Sequence, residues 1–98
     1  MRLSAEQAAT IRAAAVDAFG SDVVVRLFGS RADDLALGGD IDLHVEAPPG
    51  HADPDREVRF RASLWRLLDE PQVDVVVHER GAPMGWIDRV ALREGVSL

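Results

Sequence analysis

The stretch Leu27-Phe28-Gly29-Ser30-Arg31-Ala32, followed by Gly39-Asp40-Ile41-Asp42-Leu43, decides how this chain is read. A β-branched, apolar run, Val23 to Phe28, ends at a Gly-Ser turn, and the next apolar run begins with two acids spaced i and i+2. From Ile41 to Glu46 the residues alternate, with Ile41, Leu43 and Val45 on one face and Asp40, Asp42 and His44 on the other. A third acid, Asp74, interrupts the run Val73-Asp74-Val75-Val76-Val77. Gly29-Ser30 closes one strand and Asp40-x-Asp42 opens the next. If they meet around one ligand, those strands run antiparallel. Asp74 lies near the start of its own strand, which should therefore run parallel to the second, through a right-handed crossover helix.

The remaining elements follow from caps and periodicity. Ser4 with Gln7 makes a capping box for a helix whose apolar stripe is Ala8, Ile11, Ala15, Ala18 and Phe19, stopped by Gly20. Residues from Ser30 to about Leu37 read as a short helix or a loop, broken by Gly38-Gly39. Pro48-Pro49-Gly50 ends the second strand. Asp53-Pro54 reads as an N-cap and first-turn proline, opening a helix that carries Val58, Ala62, Trp65 and Leu68 inward and is closed by Pro71. A last helix spans about Pro83 to Glu94, burying Met84, Ile87, Val90 and Ala91, with Gly95 as its stop. The order is α-β-(α)-β-α-β-α. The fold class is α/β (α+β-like), a small mixed sheet of three or more strands flanked by helices.

With 98 residues, 47% of them hydrophobic and 29% charged, the chain reads as one globular domain, residues 1–98. It has no apolar run near the roughly 20 residues that span a bilayer, and no secretory signal is visible. The absence of cysteine removes disulfides and thiolate metal sites and fits a cytoplasmic protein. The net charge is −6, and all 11 basic residues are arginines scattered among acids. Nucleic-acid binding demands clustered cations, so a small substrate or a protein partner is expected instead, with no membrane.

The three aspartates point to hard-cation chemistry. Side chains at i and i+2 on a strand stand about 6.5–7 Å apart on one face, so Asp40 and Asp42 can ligate one magnesium ion or bracket two. With Asp74 the cluster could hold ions roughly 3.5–4 Å apart, one at the attacking oxygen and one at a triphosphate. Gly29 allows close backbone approach to a phosphate, Ser30 adds a hydroxyl, and Arg31 can neutralise phosphate charge. Each signal also has an ordinary explanation. A Gly-Ser after a strand is usually a turn, Asp-x-Asp is usually a solvated face, and Asp74 could sit at a sheet edge with its carboxylate in water. Their order and inferred adjacency favour the site. His44 reads as a solvated or core-edge residue, and His51 and His78 have no partner at metal-ligand spacing. Arg56, Arg59, Arg61 and Arg66 read as a solvated helix face, and Trp65 and Trp86 as core.

Gly29-Ser30, Asp40-x-Asp42 and the later Asp74 resemble the polymerase-beta-like nucleotidyltransferase superfamily, and within it the minimal nucleotidyltransferase (MNT) domains. The resemblance runs over nearly the whole chain. It implies that Gly29 and Ser30 contact the triphosphate, that Asp40 and Asp42 bind both magnesium ions, and that Asp74 binds one and helps activate the incoming hydroxyl. The chain has nine residues between Ser30 and Asp40, one fewer than is usual in the family, and Gly39 where a serine is common. MNT proteins resemble antitoxins paired with HEPN-domain ribonuclease toxins, which implies transfer of AMP from ATP onto a tyrosine of the toxin. The alternatives are an antitoxin that neutralises by binding alone and adenylyl transfer to a small molecule. Homo-oligomers and hetero-oligomers are both left open.

Overall fold

The computed structural model describes residues 3–29, 41–68 and 73–98. Among them are three helices, α1 (Ala5–Phe19), α2 (Pro54–Leu67) and α3 (Trp86–Glu94). Four strands accompany them, β1 (Val24–Phe28), β2 (Ile41–Ala47), β3 (Val73–Glu79) and β4 (Val96–Ser97). They make a mixed α/β fold with the sheet order β3-β2-β1-β4. β1 runs antiparallel to β2, and β3 parallel to it, as the motif geometry requires. The segment read as a short helix or loop, together with Ser30, Arg31 and Asp40, lies outside the described residues.

β2 is the centre of the sheet, and its alternation divides the molecule into two faces. Ile41, Leu43, Val45 and Ala47 are fully buried on the side covered by α1 and α2. Val25 and Leu27 of β1 and Val75 of β3 join them there, with Ile11, Ala15 and Phe19 of α1 and Phe60 and Leu64 of α2. The other face carries Arg26, Phe28, Asp42, His44, Glu46, Asp74 and His78 in aligned registers. α3 packs against that second face, and β4 adds a short outer pairing to β1 at Arg26 and Leu27.

The caps are formed as read. Gln7 N–H donates to Ser4 Oγ and Ser4 N–H to Gln7 Oε1, both at 3.0 Å. Asp53 Oδ2 accepts from Arg56 N–H at 3.3 Å, with Pro54 in the first turn. Each cap satisfies a donor that the first helical turn leaves unpaired.

The two later helices depart from their expected burial and bounds. α2 turns a different stripe inward: Phe60, Ser63 and Leu64 are buried, whereas Val58 is 65% and Trp65 83% exposed. Phe60 packs edge-to-face on Phe19, ring centroids 5.5 Å apart, and this aromatic pair sets the rotation of the helix. α3 begins at Trp86 rather than near Pro83, because Gly85 is its N-cap. Trp86 then sits in the exposed first turn, 72% accessible, not in the core. The strand β4, absent from the sequence reading, follows Gly95, where an added Cβ would stand 2.3 Å from Ala91 O and 3.1 Å from Arg26 Cβ.

Phe60→Ala should cost about 3–5 kcal/mol of unfolding free energy in urea titrations, the range for an emptied aromatic core site. Val58→Ala, at an exposed position on the same helix, should stay within about 0.5 kcal/mol. Equal effects would mean that the sequence-predicted stripe is the packed one after all.

Candidate active site

The antiparallel pairing of β1 and β2 sets Phe28 opposite Asp42, so the chain leaves β1 at Gly29 directly beside the Asp42 side chain. Gly29 has φ +75°, and a Cβ there would lie 2.4 Å from Asp42 Oδ2. Both facts call for glycine, one through the backbone and one through contact. The parallel pairing of β2 and β3 sets Asp74 opposite Asp42. Partners in register on neighbouring strands share a face, with backbones about 4.8 Å apart. Asp42 is half-buried and Asp74 exposed.

The structure therefore brings together Gly29, Asp42 and Asp74 of the sequence-predicted site. Ser30, Arg31 and Asp40 lie outside the described residues. Asp74 does stand on an edge strand with its carboxylate accessible to water, so a valine run tolerates it without a buried charge. The donor set fits magnesium: two adjacent carboxylates on one face, with a side-chain-free backbone turn against one of them. Among the described residues no cluster of three metal-ligating side chains occurs, and the third predicted ligand, Asp40, lies outside them.

Two residues further along β2, on the same face, the sequence reading missed a polar pair. His44 is fully buried, not solvated, and its Nε2 lies 2.7 Å from Asp88 Oδ1. An ionised carboxylate only accepts, so Nε2–H is the donor. The other oxygen, Asp88 Oδ2, accepts the Gly85 N–H at 2.8 Å. Asp88 thus caps α3 and ties it to β2 at once. His44 Nδ1 is buried with no hydrogen-bond partner among the described residues. The ring stacks on His78, centroids 6.1 Å apart, and meets Phe28 edge-on at 6.5 Å. Burial alone would raise the Asp88 pKa. The hydrogen bonds from His44 and the Gly85 N–H outweigh that, aided by the nearby histidines, and hold it below its ordinary value. An acid three residues after a glycine, opening an amphipathic helix, was the available signal for the cap. Nothing in the sequence paired it with a histidine 44 positions away.

Beyond His44 the face ends in an ion-pair group. Glu46 lies 3.2 Å from Arg80 Nε and 4.0 Å from Arg26 Nη1, and Arg80 also donates to Asp22 O at 2.7 Å. The remaining histidines are structural. His51 Nδ1 is 2.9 Å from Phe19 O, and His78 Nε2 is 3.0 Å from Ala82 O. Arg61 is not merely solvated: it donates to Val75 O at 2.9 Å and to Glu57 at 3.1 Å. No helix among the described residues is long and apolar enough to cross a membrane. No family model, curated protein or solved structure matches the chain.

The lowered Asp88 pKa fixes a pH dependence. The group stabilises the fold above its unfolded value near 3.8, and that contribution disappears as pH falls through the lower folded value. Asp88→Asn should cost about 1–3 kcal/mol near neutrality, and the gap to wild type should close below pH 3.8. Denaturant melts at stepped pH check this; a gap that widens in acid would reverse the sign.

Proposed function

We propose that this chain is a minimal nucleotidyltransferase that moves AMP from ATP onto a hydroxyl of a protein acceptor, a tyrosine of a cognate HEPN-type ribonuclease toxin in the cytoplasm. The observation that carries the reading is the register Phe28↔Asp42↔Asp74, which sets two carboxylates side by side against Gly29. Paired carboxylates beside a turn without a side chain are groups that transfer from a nucleoside triphosphate uses, and they support the reading. The resemblance to the MNT domains supplies the substrate and the acceptor.

Asp42 and Asp74, with Asp40, would hold two magnesium ions. Bound there, magnesium neutralises triphosphate charge and makes a hydroxyl easier to ionise. Asp74, the accessible acid at the sheet edge, receives the acceptor's side of the reaction and takes up the hydroxyl proton. The acceptor oxygen forms a bond to the α-phosphorus while the bond to the bridging oxygen of pyrophosphate breaks. Gly29 lets the backbone approach the departing phosphates, and Ser30 and Arg31 offer a hydroxyl and a charge to them. The half-buried position of Asp42 beside that turn suits a ligand shared between the nucleotide and the protein.

Label transfer from α-labelled ATP, with magnesium, into native-host extract tests the reading. Wild type should mark one protein band, and Asp42→Asn and Asp74→Asn should reduce it to background while circular dichroism shows both variants folded. Neutralisation of a toxin by either asparagine variant would favour an antitoxin that works by binding alone. Magnesium-dependent ATP binding without a labelled band would favour a small-molecule acceptor.

Gly29→Ala separates the turn from the acids. It should cost about 1–3 kcal/mol in stability and lower transfer further than that loss explains, since the methyl group would displace the Asp42 carboxylate. Unchanged transfer would remove the turn from the site.

A further inference from the structure

We infer that the β3 edge and the exposed stripe of α2 form a two-fold interface with a second copy of this chain. The starting point is an unpartnered surface. β3 is the seven-residue edge of the sheet and pairs only with β2 among the described residues. Beside it a groove of about 420 Å³ opens between β3 and α2, lined by Val58, Ala62, Trp65, Val73 and Val75. A long, valine-rich edge next to an exposed tryptophan is what a strand-pairing partner would cover.

The backbone says how a strand would add. Arg80 N–H bonds to Ala47 O of β2, so even-numbered residues of β3 direct their backbone groups inward. Arg61 reaches Val75 O from outside the sheet, so the odd ones direct theirs outward. In an antiparallel pair, both members of a hydrogen-bonded couple must face the partner strand. Full overlap of two β3 strands satisfies this, coupling Val73 with Glu79 and Val75 with Val77, with the axis at Val76. Asp74 of one copy then stands across from His78 of the other, and no acid opposes an acid. Val75 O keeps a second lone pair for the incoming N–H while Arg61 holds the first.

The same axis makes α2 self-complementary. Arg61 contacts the middle of β3, so the middle of the α2 stripe lies level with Val76. α2 is the crossover between parallel strands and runs against β3, and a second α2 related by that axis runs antiparallel to the first. Pairing about the midpoint between Arg61 and Ala62 then sets Val58 against Trp65 and Glu57 against Arg66. The exposed apolar residues meet each other, and the acid at the helix start meets the base at its end. The Asp74 side chain lies on the face of the sheet opposite the α2 contacts, so substitutions in α2 test the interface without altering the proposed site.

Sedimentation equilibrium of the whole chain tests the inference, with circular dichroism to confirm that each variant is folded. Wild type should sediment at twice its 10.7 kDa monomer mass. Trp65→Glu, at an exposed position, should raise the dimer dissociation constant about thirtyfold, as loss of a central aromatic does. Glu57→Arg and Arg66→Glu should each weaken self-association, and an equimolar mixture of the two should associate again, because each supplies the charge the other lacks. A wild-type monomer at concentrations up to about 100 μM would overturn the inference, leaving the groove to another partner. So would a dimer indifferent to these substitutions, or a mixture no more associated than its components.

Discussion

The register of β2 between its neighbours is the constraint on which the rest of the structure depends. Among the described residues β2 is the one strand paired on both sides by long ladders, antiparallel to β1 and parallel to β3. Its odd residues are fully buried and its even residues carry an aspartate, a histidine and a glutamate. A slip of one residue would drive Asp42 and Glu46 into the core and expose Ile41, Leu43 and Val45. Each apolar side chain so exposed forfeits about 1.5–3 kcal/mol, and each buried unpaired acid costs more. Alternative registers are therefore excluded by the hydrophobic effect and by charge burial together. The placement of Gly29 beside Asp42, and of Asp42 beside Asp74, is a by-product of that exclusion.

Much of this was legible in the chain. Ser4 with Gln7 and Asp53 with Pro54 are local signals, complete within one helical turn, and their hydrogen bonds form as read. The alternation from Ile41 to Glu46 is equally local, and the strand directions followed from asking three motif fragments to meet. The rotation of α2 was not legible because that helix offers two apolar stripes. The expected stripe Val58-Ala62-Trp65-Leu68, of which only Leu68 is buried, and the packed one around Phe60 and Leu64 both fit a helical period. The choice is made by α1, whose buried Phe19 receives Phe60. β4 is two residues long, too short to carry a period, and it exists because β1 offers an open edge.

The candidate site was legible only in part, for a related reason. Residues that act near their own turn, such as Gly29, announce themselves. The His44–Asp88 pair does not, since its partners come from the sheet centre and from the last helix. Yet that pair governs how α3 sits. Asp88 spends one oxygen on the start of its own helix and the other on β2, so the cap and the tertiary contact form together. Breaking a bond of this kind leaves a buried donor at His44 as well as an open helix end. The polar face of the sheet is thus closed at its middle by one hydrogen-bonded acid, between Asp42 and Asp74 at one end and the Arg26–Glu46–Arg80 group at the other.

The polar groups along one face of the sheet change character from the aspartates at one end to the arginines beside Glu46 at the other. Positive charge is held at the far end by Glu46, and at the middle the Asp88 carboxylate accepts from His44. Asp74 stands on the edge strand, where water screens it, and Asp42 is only half-buried. A site of this kind needs no deeply buried charge. It needs a sheet whose register cannot slip, a turn that presents no side chain, and an edge that keeps one acid wet.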